Sequence, residues 1–300
     1  MLLVYGVGAR EQGNNMKSAT VLTPTIGHDT LGKCIQSVDN QDYENLQHLV
    51  VIDGPEYFDA AMNETMISHE KSRTQFTVTP ENTGGVFPGY YGHRIYAAYP
   101  HLLNSDYILF LDEDNWYDPN HVSSLIELCE RKNYDWAFSL RNIYTKNEQF
   151  LDPDCCESIG LWPIYWSLGH EQNQFLVDTS SYCFRRDWLI KHCHHWHSGW
   201  GGDRRFFSII KELCISKAFV SINPISYGTT GLHTLNYRLD DVPEKKYGSL
   251  DFFKKGNDII RKHYGEYPWN RPVPSIQGKT FESIDAMKND IIKIKQHYGE

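Results

Sequence analysis

No two cysteines of this chain stand in a CxxC pair. The seven are scattered and odd in number, and the vicinal Cys155 and Cys156 make no zinc pattern. Reduced thiols in a cytosolic protein are therefore expected, without a disulfide framework. No apolar run approaches the ~18 residues of a membrane span. The opening MLLVYGVGAREQGNN is short and interrupted early by Arg10 and Glu11, which does not suit a signal peptide. A cytoplasmic protein, free or peripheral to a membrane, is the expectation. Cationic excess is missing too: 29 Lys and Arg stand against 38 Asp and Glu, a formal net charge of −9. That argues against a general nucleic-acid or acidic-membrane binder, whose affinity comes from clustered Lys and Arg. An anionic ligand would need a local cation, and a bound metal is one way to supply it. Internal repeats and low-complexity tracts are also lacking.

What the chain does have is an ordinary globular composition, 40% hydrophobic and 22% charged over 300 residues, enough for a sizeable core. Aromatic residues are abundant. Trp116, Trp162, Trp166, Trp196 and Trp200 lie in polar, Gly-rich surroundings where an aromatic face could meet a sugar ring. From residue 18 strand and helix patterns alternate. SATVLTPTIG reads as a strand, HDTLGKCIQSVDNQ as a helix capped by Asp29 or Thr30, LQHLVVIDG as a second strand and RTQFTVTPEN as a third after a polar helix near 57–70. A Gly-rich turn and helix over GGVFPGYYGHRIYAAYPHLL precede a fourth strand in DYILFLDED. Beyond 119 come a helix (120–132), the strand WAFSLRNIY, a loop-rich stretch from about 145 to 177, a strand and helix start in FLVDTSSYCFRRDWLIKH, a helix opened by GWGG, and a later strand in KAFVSINPISYG. The pattern predicts an α/β fold with a mostly parallel central sheet flanked by helices. Residues 1–17 would be a leader or an extra strand, and 236–300 a helical C-terminal extension. In such sheets ligands bind beyond the carboxyl ends of the strands. Thr23–Thr25, Asp53, Asn82 and 112–114 all fall there.

The stretch DYILFLDEDNWYDP poses the chemical question. A buried strand runs directly into Asp112, Glu113 and Asp114, and unpaired buried carboxylates are costly. On a strand leaving the sheet, Asp112 and Asp114 can reach one hard cation while Glu113 points away. Mg²⁺ or Mn²⁺ held there keeps open positions for water and phosphate oxygens. It could bridge the two phosphates of a nucleotide diphosphate and stabilise the charge that develops as the diphosphate leaves.

In this order, TVLTPTIG, VVIDG, NTGG, FLDEDNWYDP and GGDRRF resemble a GT-A glycosyltransferase of the large family-2-like group, over residues 18–235. The resemblance implies a nucleotide-sugar-binding half (18–119), an acceptor-binding half (120–235), and metal-dependent transfer from a nucleotide-diphosphate sugar, most often a UDP-sugar, to a saccharide or other hydroxyl acceptor. Carried over by position, Thr23, Pro24 and Thr25 would line the nucleotide pocket and Asp53 would meet the base or ribose. Asn82, Gly84 and Gly85 would lie near the nucleotide, with His93 and Arg94 facing the diphosphate. Asp112 would contact the ribose or the metal, Asp114 would be the principal metal ligand, and His233 would complete the shell, an imidazole suiting Mn²⁺ better than Mg²⁺.

Inverting transfer needs one base within reach of the acceptor hydroxyl. In similar enzymes it is an acid just before a helix, the place of Asp203, although the family's commoner Glu-Asp is Gly202-Asp203 here. Trp200, Gly201 and Gly202 would border the acceptor, the glycines allowing close backbone approach. Asp203 as a helix N-cap is the competing reading. HCHHWH lacks the spacing of a zinc helix and fits a loop beside the acceptor. GVGAR at 6–10 lacks the third glycine of a dinucleotide fingerprint. A retaining transferase, a sugar-phosphate nucleotidyltransferase and a non-catalytic nucleotide-sugar-binding module are the alternatives.

Overall fold

The computed structural model describes residues 16–65, 72–85, 89–160, 174–218, 226–239 and 249–264. The GVGAR segment, Trp162, Trp166, most of KAFVSINPIS and the tail from 265 onward lie outside the described residues. The described part holds nine strands and seven α-helices in one sheet-centred unit. They are β1 (Ala19–Thr25), α1 (Leu31–Asp39), β2 (Leu46–Ile52), α2 (Phe58–Thr65), β3 (Thr74–Val78), α3 (His93–Ala98), β4 (Tyr107–Phe110), β5 (Trp116–Tyr117), α4 (His121–Lys132), β6 (Trp136–Tyr144), β7 (Phe150–Pro153), β8 (Tyr182–Arg185), α5 (Arg186–His192), α6 (Gly202–Ala218), β9 (Tyr227–Arg238) and α7 (Leu250–Tyr264).

The sheet order is β3-β2-β1-β4-β8-β6-β9-β5, with β7 hydrogen-bonded to β6 outside that path. Strands β3, β2, β1 and β4 are parallel. Strand β8 then runs antiparallel to both β4 and β6, and β9 is parallel to β6. The parallel character that the sequence suggests thus belongs to the first four strands, and the second half is mixed. Helical crossovers join the first four and enforce parallel pairing. Every residue of β1 is buried, as expected of a strand covered on both faces.

Strand alternation sorts the core into two faces. Leu22, Ile108 and Phe110 point toward Tyr96 of α3, Leu189 of α5 and Phe206 and Phe207 of α6. Val21, Leu109 and Leu111 point toward Cys34 and Val38 of α1 and Leu125 and Cys129 of α4. Trp196 is fully buried among the first set, stacked on Phe206 at 4.4 Å. It is a core residue, not the sugar-facing one that its polar sequence neighbours suggested. Trp116 is buried as well, with Lys33 over its ring, whereas Trp200 is 74% exposed.

Helix α7 packs Phe252, Phe253 and Ile260 against Ile143 and Leu239. Its buried Asn257 donates to Asp152 and to the Pro153 carbonyl and accepts from the Cys155 N–H. The helix thereby clamps the loop that follows β7. Cys34, Cys129, Cys155, Cys156, Cys183 and Cys193 are all buried and none of them is in a disulfide. Thr30 is the N-cap of α1, but its hydroxyl donates to the Glu113 carbonyl instead of capping the helix. No described helix is long and apolar enough to cross a membrane.

His233 requires a correction. It lies within β9, not after the last strand. The strand expected over KAFVSINPISYG would end at Gly228, and just beyond it Gly231 takes φ +70°. The strand absorbs it as a bulge: Phe138 and Leu140 of β6 pair with Thr229 and His233, so the three residues Thr230–Leu232 stand opposite the single Ser139.

Candidate active site

Beyond β4, Leu111 still donates to the Leu22 carbonyl of β1, so the next residues leave the sheet at its carboxyl edge. Asp112 accepts from the Tyr96 hydroxyl at 2.8 Å and from Ser180 Oγ at 3.3 Å, while its N–H donates to that same serine oxygen. Only hydroxyls answer its carboxylate in these bonds. Desolvation, followed by the charges of Asp178 and Asp203, pushes the Asp112 carboxyl up to about 7. Glu113 turns the other way, accepting from the N–H groups of Ile26 and His28 at 3.1 and 2.9 Å and from the Thr25 hydroxyl. Its side chain therefore pins the loop after β1.

A cleft of about 410 Å³ opens at this edge. It gathers six of the residues expected at the donor: Pro24, Thr25, Asp53, Asn82, Gly84 and Gly85, together with Tyr57, Tyr91 and Glu113. Asp53 is buried and its oxygens accept from the N–H groups of Thr83 and Gly84 at 2.7 and 3.0 Å. Asn82 donates to the Asp53 carbonyl and accepts from the Gly85 N–H. Asp53 thus sets the shape of the Gly-rich loop as well as lining the cleft.

Other expected donor residues are placed elsewhere. Thr23 is fully buried and its hydroxyl is 2.9 Å from His48 Nε2; it shares a face with Thr25 but lies two residues deeper in the sheet. Arg94 backs the loop, donating to the Thr83 carbonyl and stacking on Tyr90 at 3.6 Å. His93 is bonded through Nδ1 to the Ser198 carbonyl at 2.7 Å, so it joins α3 to the turn before α6 instead of facing the cleft.

Asp203 sits in the first turn of α6 and accepts from the Arg204 N–H. Gly201 takes φ +78° and has open space at its Cβ position. Gly202 does not: a Cβ there would fall 2.6 Å from His93 Cε1 and from Ser198 Oγ. Its bareness accommodates the histidine that anchors the helix start, not an incoming acceptor.

A buried cluster around Arg141 was not anticipated. From β6 its Nε meets Asp154 at 2.7 Å, Nη1 meets Asp178 at 2.5 Å and Nη2 meets Glu157 at 2.7 Å. Arg204 adds a second cation on Glu157 at 2.9 Å. Burial alone would push the Asp154 carboxyl up, but Arg141 and the N–H groups of Cys156 and Ser158 hold it below its ordinary value. For Glu157 and Asp178 burial wins and both are raised. The readable signal was an arginine inside the apolar strand WAFSLRNIY; the three partners are scattered along the sequence.

Comparison with known proteins decides the family. The model of glycosyl transferase family 2 matches residues 20–190, more than half of the chain. The chain belongs to this family. This glycosyltransferase has the α/β architecture and the motif order that its resemblance to GT-A enzymes implies. Among solved structures it is similar to S. aureus TarS 1–349, with 12% identity, 74% of this chain and 60% of that chain covered, and a TM-score of 0.48. The TarS complex with UDP-GlcNAc gives 11% identity, coverage of 83% and 67%, and a TM-score of 0.47. This chain thus spans less than two thirds of the first of these. No curated protein sequence matches significantly.

For a metal, the expected trio does not assemble: among the described residues no group of three or more His, Cys, Asp or Glu side chains is arranged to hold an ion. His233 approaches Cys155 Sγ at 3.9 Å, and burial lowers its pKa. The β9 bulge carries it to the loop after β7. An ion that shares its shell with substrate would need fewer protein ligands than such a group supplies. A hard divalent cation bound through one or two carboxylates takes its remaining ligands from water and phosphate. The Asp112 carboxyl, crowded by Asp178 and Asp203, is a group that such a cation would ionise fully.

Proposed function

We propose that this glycosyltransferase moves a sugar from a nucleotide-diphosphate sugar, a UDP-sugar in the first instance, to a hydroxyl of a saccharide acceptor by inverting displacement. The observation that carries the reading is the position of Asp112. It leaves the sheet at the edge where the cleft opens, and Asp203 is near enough to act on its charge. The cleft takes the nucleoside, with Asp53 and Asn82 holding the loop that borders it. Asp112 and Asp114 would hold Mn²⁺ or Mg²⁺, which would supply positive charge for the departing diphosphate. Asp203 accepts the proton of the attacking hydroxyl. The acceptor oxygen bonds to the anomeric carbon, and the carbon–oxygen bond to the diphosphate breaks with its electron pair on the leaving phosphate. Trp200, exposed one turn before Asp203, offers the acceptor an aromatic face.

The test is a panel of nucleotide sugars with saccharide acceptors, read as released nucleoside diphosphate and as the anomeric configuration of the product. Asp203→Asn is expected to bind donor as the parent does and to lose transfer by about 10²–10⁴-fold. Transfer at the parent rate would remove Asp203 as the base. A retained configuration would exclude the single inverting displacement, and release of pyrophosphate would mean a nucleotidyltransferase.

A further inference from the structure

The geometry points to Arg141 as the positioning residue that holds the cation-site carboxylate Asp112 and the base Asp203 in one frame. This inference rests on the roles proposed above for those two aspartates. Two chains of bonds leave the guanidinium. Along the first, Asp178 accepts from Arg141 on Oδ2 and from the Ser180 N–H on Oδ1 at 2.9 Å. Ser180 Oγ then receives the Asp112 N–H and donates to the Asp112 carboxylate. Along the second, Glu157 takes Arg141 on Oε2 and Arg204 on Oε1, and Arg204 directly follows Asp203 at the start of α6.

The frame is fixed at its base. Asp154 accepts the N–H groups of Cys156, Glu157 and Ser158 at 2.9–3.0 Å, which curls the loop carrying Glu157 around the arginine. Ser158 Oγ accepts the Asp178 N–H at 2.9 Å, joining the two arms before they diverge. Tyr237 closes the cluster with its ring 4.3 Å from the guanidinium.

Stability alone does not account for this arrangement. A buried ionic cluster is often matched or surpassed by apolar packing of similar volume. Here three carboxylates share two arginines, leaving an excess of negative charge beside Asp112 and Asp203. Planar, forked donation fixes direction as well as distance. Both directions it fixes end at groups of the proposed site.

The two arms predict different kinetic signatures in the full chain. Arg204→Gln releases the α6 arm and is expected to lower kcat about tenfold, with donor KM within about twofold of the parent. Arg204→Lys, which keeps a cation for Glu157, should recover most of that loss. Asp178→Asn loosens the Ser180–Asp112 arm and should raise donor KM about tenfold at fixed Mn²⁺, with the smaller effect on kcat. In an Asp203→Asn background, Arg204→Gln should cost nothing further, because it acts through Asp203. The inference is overturned if both variants change kcat and KM alike, or if the Arg204→Gln loss adds in full to that of Asp203→Asn. Should Asp203→Asn itself transfer at the parent rate, the base assignment falls separately. The frame then stands or falls on whether the kcat-against-KM split between Arg204→Gln and Asp178→Asn persists.

Discussion

The two halves of the sheet answer buried carboxylates in different ways. In the parallel half, the buried Asp53 and the half-buried Glu113 are satisfied mainly by backbone N–H groups of the loops after β3 and β1. In the mixed half, Asp154, Glu157 and Asp178 converge on the Arg141 guanidinium. Backbone donors shape a loop and leave its outer surface free for a ligand. A guanidinium ties distant segments together and fills the space between them. Asp112 lies at the junction of the halves, where β4 meets β8, with the hydroxyls of Tyr96 and Ser180 as its side-chain partners. The frame thus ends at Asp112, one residue before Glu113 of the cleft wall.

The largest expected effect tests that junction. If Asp112 and Asp114 share the proposed cation, Asp114→Ala should reduce metal-dependent transfer by about 10³-fold or more. Chelation should silence the parent enzyme and leave Asp114→Ala at its residual rate. Restoration of the parent by Mn²⁺, followed as nucleoside diphosphate released, completes the measurement. Activity that persists under chelator would remove the cation from the reaction.

Next in size is the contrast between guanidinium and backbone. Arg141→Met leaves the buried Asp154 and Asp178 without their cation and Glu157 with Arg204 alone, and should lower the unfolding free energy by about 3–5 kcal/mol. Asp53→Asn keeps one acceptor oxygen for the Thr83 or Gly84 N–H group, turns an amide donor toward the other, and should cost about 1–3 kcal/mol. Urea denaturation monitored by tryptophan fluorescence reads both. Equal losses would mean that the two halves do not differ in the way described.

How far the sequence reached follows the same division. YILFL and VVI declared themselves as buried strands, and the polar residues at their ends, Thr25, Asp53 and Asn82, do converge on one cleft, because parallel topology places carboxyl ends together. Local alternation could not show how deep in the sheet a residue lies, so Thr23 was assigned to the cleft while it is bonded to His48 in the core. The strand expected to end at Gly228 runs on as β9 through a bulge around Gly231. The Arg141 cluster joins residues 13 to 37 positions away from the arginine, a pairing that only the assembled mixed half brings about. Glu113, treated as the member of DED that points away, does so, but into the cleft's own wall.

A smaller effect per residue distinguishes the halves by pH. Each holds one fully buried histidine: His48 between Thr23 and Thr74 in the parallel half, His121 bonded to Thr234 and stacked on Tyr117 in the mixed half. Burial lowers both to about 3. Their unfolded value is about 6.5, so between these limits the unfolded chain binds protons that the folded chain refuses. Stability from these groups is complete above about pH 6.5 and is lost as pH falls toward 3. From pH 7 to pH 5 each should contribute a loss of about 2 kcal/mol. His48→Asn and His121→Asn should each reduce the acid sensitivity of the urea midpoint. A variant whose midpoint keeps the parent's pH slope would show that its histidine titrates alike in the folded and unfolded chain.

The smallest effect concerns Glu113. Its carboxylate gathers the Ile26 and His28 N–H groups and the Thr25 hydroxyl, and its own carbonyl accepts from Thr30. Glu113→Gln retains one acceptor oxygen of similar reach, so the loop after β1 should lose one or two bonds without collapsing, at about 1–2 kcal/mol. Because that loop borders the cleft and carries none of the acids proposed to act on the reacting atoms, the kinetic consequence should fall on donor binding. Donor KM is expected to rise about three- to tenfold while kcat at saturating donor stays within about twofold. The amide also removes a negative charge from the cleft wall, which by itself would favour an anionic donor. A fall in KM would therefore mean that electrostatic repulsion, not loop geometry, is what Glu113 contributes. Measuring KM at low and at high salt separates the two, since screening weakens the charge effect and leaves the geometric one in place.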